Sequence, residues 1–196
     1  MKIIKRISDS VVLYADDDLM LGATGASNGD WQDPNTTTEN AVLIEGVTLP
    51  VDWMGGNYTF DGGSWAHTTV GAAQSEAMKA QAKLDKWEAI KIERDRREAG
   101  GVLVGTHWFH TDESSRIKQL GLVMAGASIP AGLMWKTMDG SFVPMTQQLA
   151  GQIFGASLSQ TSAIFTKAEQ HKAVMEASEN PDAYDFSGGW PKVFGE

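Results

Sequence analysis

Short apolar runs, broken by turn-forming residues, characterise the first third of the chain. The runs at residues 11–14 and 41–44 are β-prone, and Asn28-Gly29 favours a turn between them. Short strands with long polar connections leave few positions for a core. Residues 1–68 therefore predict a small, loop-rich β-domain whose core is thin.

A helical pattern replaces the strand pattern over residues 69–99. This stretch contains no proline and a single glycine, Gly71, and Thr68 or Thr69 is placed to cap its start. Apolar side chains recur at heptad spacing over about two heptads, which predicts a seam that packs on another element. The seam consists of Ala73, Ala77, Ala80, Leu84 and Trp87.

Two interpretations of this seam remain open. The seam packs either on the C-terminal domain of its own chain or on a second copy of the protein. Our hypothesis of an oligomer interface at these five residues rests on the second interpretation. The heptad pattern ends after Trp87, and residues 93–98 predict a solvated run of charged side chains.

The remaining residues, 100–196, predict a mixed domain of helices and short hairpins. The Gly-Gly pair at 100–101 ends the long helix, and residues 102–110 favour a strand or hairpin. The Asp-Gly pair at 139–140 signals a second hairpin. The whole chain thus predicts an α+β fold: a small N-terminal β-domain, a long connecting helix with a possible short coiled coil, and a C-terminal mixed domain.

Three helices are expected inside this last domain. Thr111 is predicted to cap the first helix, and Ile117, Leu120 and Met124 are predicted to form its buried face. Thr146 is predicted to cap the first of two closing helices. The second closing helix, from about residue 159 to 178, is predicted to place these side chains on one side: Ile164, Phe165, Ala168, His171 and Met175.

Composition and charge narrow the classes of function. The net charge is -9, and residues 1–68 carry ten acidic side chains against three basic ones, so no region has the basic stripe that nucleic-acid binding requires. The absence of cysteine excludes disulfides, thiolate catalysis and zinc sites built on cysteine. The sequence contains no run of about 18 apolar residues, so it does not predict a segment that inserts into a membrane. Residues 1–10 lack the apolar stretch of a secretory signal.

Candidate catalytic chemistry is sparse. The three aspartates at 16–18 favour a solvated turn over a cation site, because adjacent side chains cannot all face one ion. His107 and His110 face opposite sides if they lie on a strand, so we expect an aromatic cluster there and no shared metal. No nucleophile elbow, phosphate-binding loop or zinc-protease motif occurs. The sequence predicts a protein that is not an enzyme and has no cofactor or metal.

Three tryptophans, Trp31, Trp53 and Trp65, lie in or beside loops of the predicted β-domain. Aromatic side chains in loops are frequent at binding sites, and they also fill thin cores. Contact with a partner or receptor and core filling therefore both remain open for these residues.

From Lys86 onward, the chain resembles a C-terminal domain of unknown function that is common in tail proteins of tailed bacteriophages. The most specific matching element is WKTMDG at residues 135–140, and GGV at 100–102 and FHTD at 109–112 also match. The first half is similar in style to phage tail proteins, as at DWMGG, residues 52–56. We expect a structural anchor in the matching region, formed by Gly100, Gly101, Trp108, Phe109, Trp135, Asp139 and Gly140.

This resemblance implies a place in the phage particle. It implies a virion structural protein of the tail fibre or baseplate periphery, made in the host cytoplasm, which acts in tail assembly and host attachment. The implied partners are other tail or fibre proteins, further copies of the chain in a homotrimer, and a host surface receptor. The alternative is a tail-fibre assembly chaperone.

Overall fold

The computed structural model describes all 196 residues, Met1–Glu196. They form two compact units, Met1–Ala80 and Gln81–Glu196. Three α-helices and several small antiparallel sheets confirm the predicted α+β fold. The boundary between the units falls inside the long helix, and the division into three domains at residues 68 and 99 stays a prediction.

Three small antiparallel sheets make up most of the first unit. Its strands are β1 (Lys2–Arg6), β2 (Val12–Asp16), β3 (Met20–Gly22), β4 (Gly25–Ser27), β5 (Gln32–Asp33), β6 (Ala41–Ile44), β7 (Tyr58–Phe60) and β8 (Trp65–His67). The strand orders are β2-β1-β6, β3-β4-β5 and β7-β8. Each strand has at most five residues, which accounts for the loop-rich character that the sequence predicts.

The core of this unit is divided between the two faces of its central strand. Adjacent side chains of a strand point to opposite faces, yet both Ile3 and Ile4 of β1 are fully buried. Ile3 packs with Val12 and Phe60, whereas Ile4 packs with Leu19 in a separate cluster. Each fully buried side chain of this size contributes about 1.5–3 kcal/mol, so two small clusters hold the sheet in place of one large core.

The long helix α1 spans Thr69–Glu98. Thr68 caps its start, because the Thr68 hydroxyl accepts a hydrogen bond from the amide of Gly71 at 3.0 Å. A side chain at Gly71 would overlap the backbone carbonyl of Asn57, so only glycine allows this close approach. The single glycine of the helix therefore marks its contact with the loop before β7.

Hairpins and two further helices form the rest of the second unit. Its elements after α1 are β9 (Val102–Val104), β10 (His107–Phe109), α2 (Glu113–Ala125), a short 3-10 helix (Gly126–Ser128), β11 (Met134–Lys136), β12 (Phe142–Pro144) and α3 (Gln147–Glu176). The pairs β9-β10 and β11-β12 are antiparallel hairpins. Both hairpins lie where the sequence predicts them.

Two apolar clusters hold this unit together. One surrounds Phe109 of β10 and Ile153 of α3, both almost fully buried. The other joins Ile90 of α1 to Ile164 and Met175 of α3. Because α3 contributes to both clusters, it is the element on which the hairpins, α1 and the C-terminal segment pack.

One helix replaces the two closing helices that the sequence predicts. Thr146 caps α3, with its hydroxyl accepting from the Leu149 amide at 3.1 Å, and the helix then continues for 30 residues. No proline interrupts it, and the glycines at 151 and 155 cost only about 1 kcal/mol each relative to alanine. Of the side chains predicted on its buried side, Phe165 is 40% exposed and the other four are buried. None of the three helices combines the length and apolar character needed to cross a membrane.

The predicted cap and buried face of α2 are both wrong. Asp112 is the N-cap residue, because its carboxylate accepts from the Ser115 amide at 3.0 Å. Ile117, Leu120 and Met124 are 65%, 44% and 80% exposed. The helix turns another side inward, where Gln119 is almost fully buried. Its amide group donates to the carbonyl oxygen of His110 at 2.8 Å and so fixes the orientation of the helix.

Candidate functional site

The predicted seam of α1 lies at the surface. Ala73, Ala77 and Ala80 are exposed, and Leu84 is 61% exposed. Trp87 is half-buried and packs against a core cluster of the second unit. The interpretation that the whole seam packs on its own C-terminal domain is therefore wrong for the first four residues and applies to Trp87 alone.

Val70 extends this surface by one heptad position, and it is 61% exposed. We call the exposed residues Val70, Ala73, Ala77, Ala80 and Leu84 the α1 stripe. They follow one another at alternating spacings of three and four, which is the spacing of residues on one helical face. The oligomer interface stays a prediction, and the α1 stripe gives it an accessible apolar surface.

The tryptophans of the first unit all have packing roles. Trp31 lies against Tyr14 with 4.5 Å between ring centroids, and Trp65 lies against Phe60 at 4.7 Å. Trp53 packs in the same cluster as Phe60. All three are half-buried, so core filling explains their presence. Contact with a receptor or partner through their exposed edges stays a prediction.

A polar cluster beside these tryptophans was not predicted from the sequence. Tyr58 donates a hydrogen bond to Asp52 at 2.6 Å, and its hydroxyl also contacts the His67 ring. Burial, followed by the hydrogen bond to the Asp52 carboxylate, raises the pKa of Tyr58 to about 12. The phenol is therefore a hydrogen-bond donor at neutral pH. No sequence motif signals this cluster, because its members come together through the β7-β8 hairpin and the loop before it.

The glycine pair after α1 lies in a close contact. Gly101 has a φ of +89°, and a side chain there would meet the sulfur of Met138. The carbonyl of Gly101 accepts from the Gln160 side chain of α3 at 2.7 Å. A side chain at Gly100 would meet Val193 in the same way. The pair therefore ends the helix and lets the chain pass between neighbouring segments.

The aromatic pair of β10 has one buried and one half-buried member. Phe109 is 1% exposed within a core cluster, and Trp108 meets the ring of Phe194 at 6.3 Å between centroids. The backbone carbonyl of Trp108 accepts from the amide of Met138 at 2.9 Å. This bond attaches the turn between β11 and β12 to the first hairpin, and the role of these residues as a structural anchor stays a prediction.

Three side chains of the WKTMDG element serve that turn. Trp135 packs against the cluster that contains Phe109. Asp139 accepts hydrogen bonds from the hydroxyl of Thr137 and, at 2.9 Å, from the amide of Ser141. The Thr137 hydroxyl is the main cause that lowers the pKa of Asp139 to about 2. Gly140 has a φ of +86°, which favours glycine. This arrangement is a hydrogen-bonded turn.

The histidines serve packing in different ways. His107 has a buried Nδ1 without a hydrogen-bond partner, and the backbone of His110 accepts from Gln119. His171 is buried, with Nδ1 at 2.8 Å from the Tyr184 hydroxyl and Nε2 at 3.0 Å from the Gly188 carbonyl oxygen. Burial lowers the pKa of His171.

No group of three or more metal-ligating side chains occurs. The aspartates at 16–18 form a turn, in which the Asp18 amide donates a 3.0 Å hydrogen bond to the Asp16 carboxylate.

A buried arginine contradicts the prediction that residues 93–98 are a solvated charge run. The Arg97 side chain is 9% exposed, and its guanidinium lies 5.5 Å from the Trp190 ring centroid. It bonds Glu93 of the same helix, the carbonyl oxygen of Pro191 at 3.0 Å, and both carboxylate oxygens of Glu196 at 3.0 and 3.1 Å. We call this group of five residues the Arg97 clamp. It holds the C-terminal segment on α1.

Comparison with known proteins adds the family of the second unit. No curated protein matches this chain, and no solved structure matches it. The family described as "Domain of unknown function (DUF4376)" matches residues 81–188. The matched segment begins where the second compact unit begins, and it covers α2, α3 and both hairpins. Since the match spans more than half of the 196 residues, the chain belongs to the DUF4376 family.

Proposed function

We propose that this protein is a virion structural protein of a tailed bacteriophage. The observation that carries the proposal is the α1 stripe, an exposed apolar heptad pattern on a 30-residue helix. Contiguous apolar side chains that face solvent are typical of surfaces that bind other proteins. An assembly component needs such a surface, since its role is to hold neighbouring chains in register.

The resemblance from Lys86 onward supports a location in the phage tail. Its most specific element, residues 135–140, forms the turn that attaches one hairpin to the other. We therefore propose the tail fibre or the baseplate periphery as the location, with roles in tail assembly and host attachment. The proposed partners are other tail or fibre proteins, and the homotrimer expected from the sequence stays a prediction.

Electron microscopy of labelled particles tests this location. An epitope tag fused to this chain marks its location, and tagged phage that still form plaques provide intact virions. Gold-labelled antibody is expected at the tail tip or along the fibres. Untagged phage are the control. Label confined to the head, or intact particles without label, would contradict the proposal.

The charge of residues 1–68 favours a second candidate, a tail-fibre assembly chaperone. Residues 1–68 carry ten acidic side chains against three basic ones. A strong electrostatic field of one sign increases the rate of association with an oppositely charged partner. Salt screens this attraction, so a contact that depends on it is suited to transient binding. Co-expression tests this function. A chaperone would raise the yield of folded fibre protein and then dissociate, whereas a structural component would remain bound in stoichiometric amount.

A further inference from the structure

The turn between β4 and β5 contains the only Asn-Gly pair of the chain, at residues 28–29. An asparagine side chain reacts most readily with the next backbone amide when that residue is glycine, since glycine has no side chain to block the approach. Asn28 is half-buried, whereas Gly29 and Asp30 are exposed. The position that a side chain would take at Gly29 has no other atom within 4 Å, so the space around this amide is open.

Two hydrogen bonds hold the amide group of Asn28. Its oxygen accepts from the backbone amide of Asp30 at 3.1 Å. Its nitrogen donates to the carboxylate of Asp16, the last residue of β2, at 3.1 Å. The first bond places a donor at the oxygen on which negative charge develops when a nucleophile attacks the side-chain carbon. The second bond joins the turn to the neighbouring sheet.

We propose that Asn28 is a site of spontaneous deamidation. The Gly29 nitrogen attacks the side-chain carbon of Asn28 and loses its proton to water or hydroxide. The bond from that carbon to the side-chain nitrogen breaks, and the nitrogen takes up a proton and leaves as ammonia. Water then opens the cyclic imide at either carbonyl, which gives aspartate or isoaspartate at position 28. The net reaction consumes water, releases ammonia and adds a carboxylate.

The remaining asparagines lack this combination of neighbours. Asn180 precedes Pro181, whose nitrogen carries no hydrogen and cannot attack in this way. The others are followed by residues whose side chains hinder the approach, and they are Asn35, Asn40 and Asn57. Asn57 is also buried. The reaction is therefore expected at position 28 in preference to the other positions.

Conversion would replace a hydrogen bond by a repulsion. The new carboxylate at position 28 would face the carboxylate of Asp16, where the amide donor was. Asp17 and Asp30 lie in the same two turns and add to the repulsion. We therefore expect β4 and β5 to loosen, beside the predicted partner contact at Trp31. This inference concerns the chemistry of the chain and does not depend on a location in a phage tail.

Peptide mapping by mass spectrometry tests the site. The folded chain is incubated in mildly alkaline buffer, where the attacking amide loses its proton more readily, and is then digested. The proposal expects conversion of amide to acid at residue 28, with isoaspartate among the products, while the other asparagines stay unchanged over the same period. Incubation in urea is the control for the unfolded chain. Conversion in urea without conversion in the folded chain, or faster conversion at another asparagine, would overturn the proposal.

Hydrogen exchange tests the structural consequence. Asn28→Asp, which reproduces one product, should speed amide exchange in residues 25–33 by about threefold to tenfold, because a hydrogen bond is lost and two carboxylates approach. The matched control is Asn28→Ser, which stays neutral and keeps an oxygen that can accept from the Asp30 amide. It should speed exchange less than Asn28→Asp does.

A double variant separates the repulsion from a general effect of substitution. Asp16→Asn combined with Asn28→Asp exchanges the donor and the acceptor of the hydrogen bond, so it should restore the original exchange rate. Unchanged exchange in Asn28→Asp, or no recovery in the double variant, would contradict the proposed consequence.

Discussion

Removal of the Arg97 side chain should destabilise the second unit far more than removal of its neighbour. The substitution Arg97→Met keeps the aliphatic length of the side chain and removes the guanidinium. The Pro191 carbonyl and the carboxylates of Glu93 and Glu196 would then lose their buried donor.

The structure sets the size of this effect. Loss of one partner from a fully buried ion pair costs about 3–5 kcal/mol. The side chains of Glu93 and Glu196 are 21% and 38% exposed, so water can replace some of the hydrogen bonds that the guanidinium donated to their carboxylates. We therefore expect a loss of about 2–3 kcal/mol in the free energy of unfolding.

Arg96 is a matched control because it bonds the same two carboxylates. Its side chain is 53% exposed, so Arg96→Met should cost at most about 1 kcal/mol. Urea unfolding followed by tryptophan fluorescence measures both variants, since Trp190 lies in the clamp. Equal losses for the two variants would refute the argument that burial gives Arg97 its role.

Three further predictions concern the helices and the C-terminal segment. Asp112→Ala should cost about 1 kcal/mol in the free energy of unfolding, because the first turn of α2 loses its cap; an unchanged urea midpoint would contradict this role. Ala80→Glu with Leu84→Glu should lower the mass of any oligomer in light scattering and leave the helix content unchanged, because both positions are exposed; an unchanged mass would contradict the interface hypothesis. His171 should make the second unit acid-sensitive. Its folded pKa lies below the unfolded value, so its contribution to stability is present above about pH 6.5 and is lost as the pH falls through the folded pKa. His171→Gln should flatten this dependence of the urea midpoint on pH, and an unchanged slope would count against it.

Local sequence signals were sufficient to predict several elements. The threonines at 68 and 69, either of which could cap a helix, marked the start of α1, and the Asp-Gly pair at 139–140 marked the second hairpin, because each signal depends on a backbone conformation within a few residues. The heptad spacing likewise located most of the α1 stripe, although it could not show whether other residues of the same chain pack over the stripe.

Features that depend on packing were not predictable in this way. The apolar spacing of Ile117, Leu120 and Met124 suggested a buried face, but α2 turns Gln119 inward, where its side chain donates a hydrogen bond to the His110 carbonyl. Arg97 looked like one charge in a solvated run because its partners at Pro191 and Glu196 lie about a hundred residues further along the chain. Periodicity describes one element at a time and carries no information about such partners.

The most direct test of a structural role in the virion is the protein composition of purified particles. Quantitative mass spectrometry of particles from a phage that encodes this chain would compare its copy number with those of known tail proteins. We predict a fixed ratio to the tail proteins that survives repeated purification in high salt. Intact, infectious particles that lack the chain would contradict a structural role in the virion.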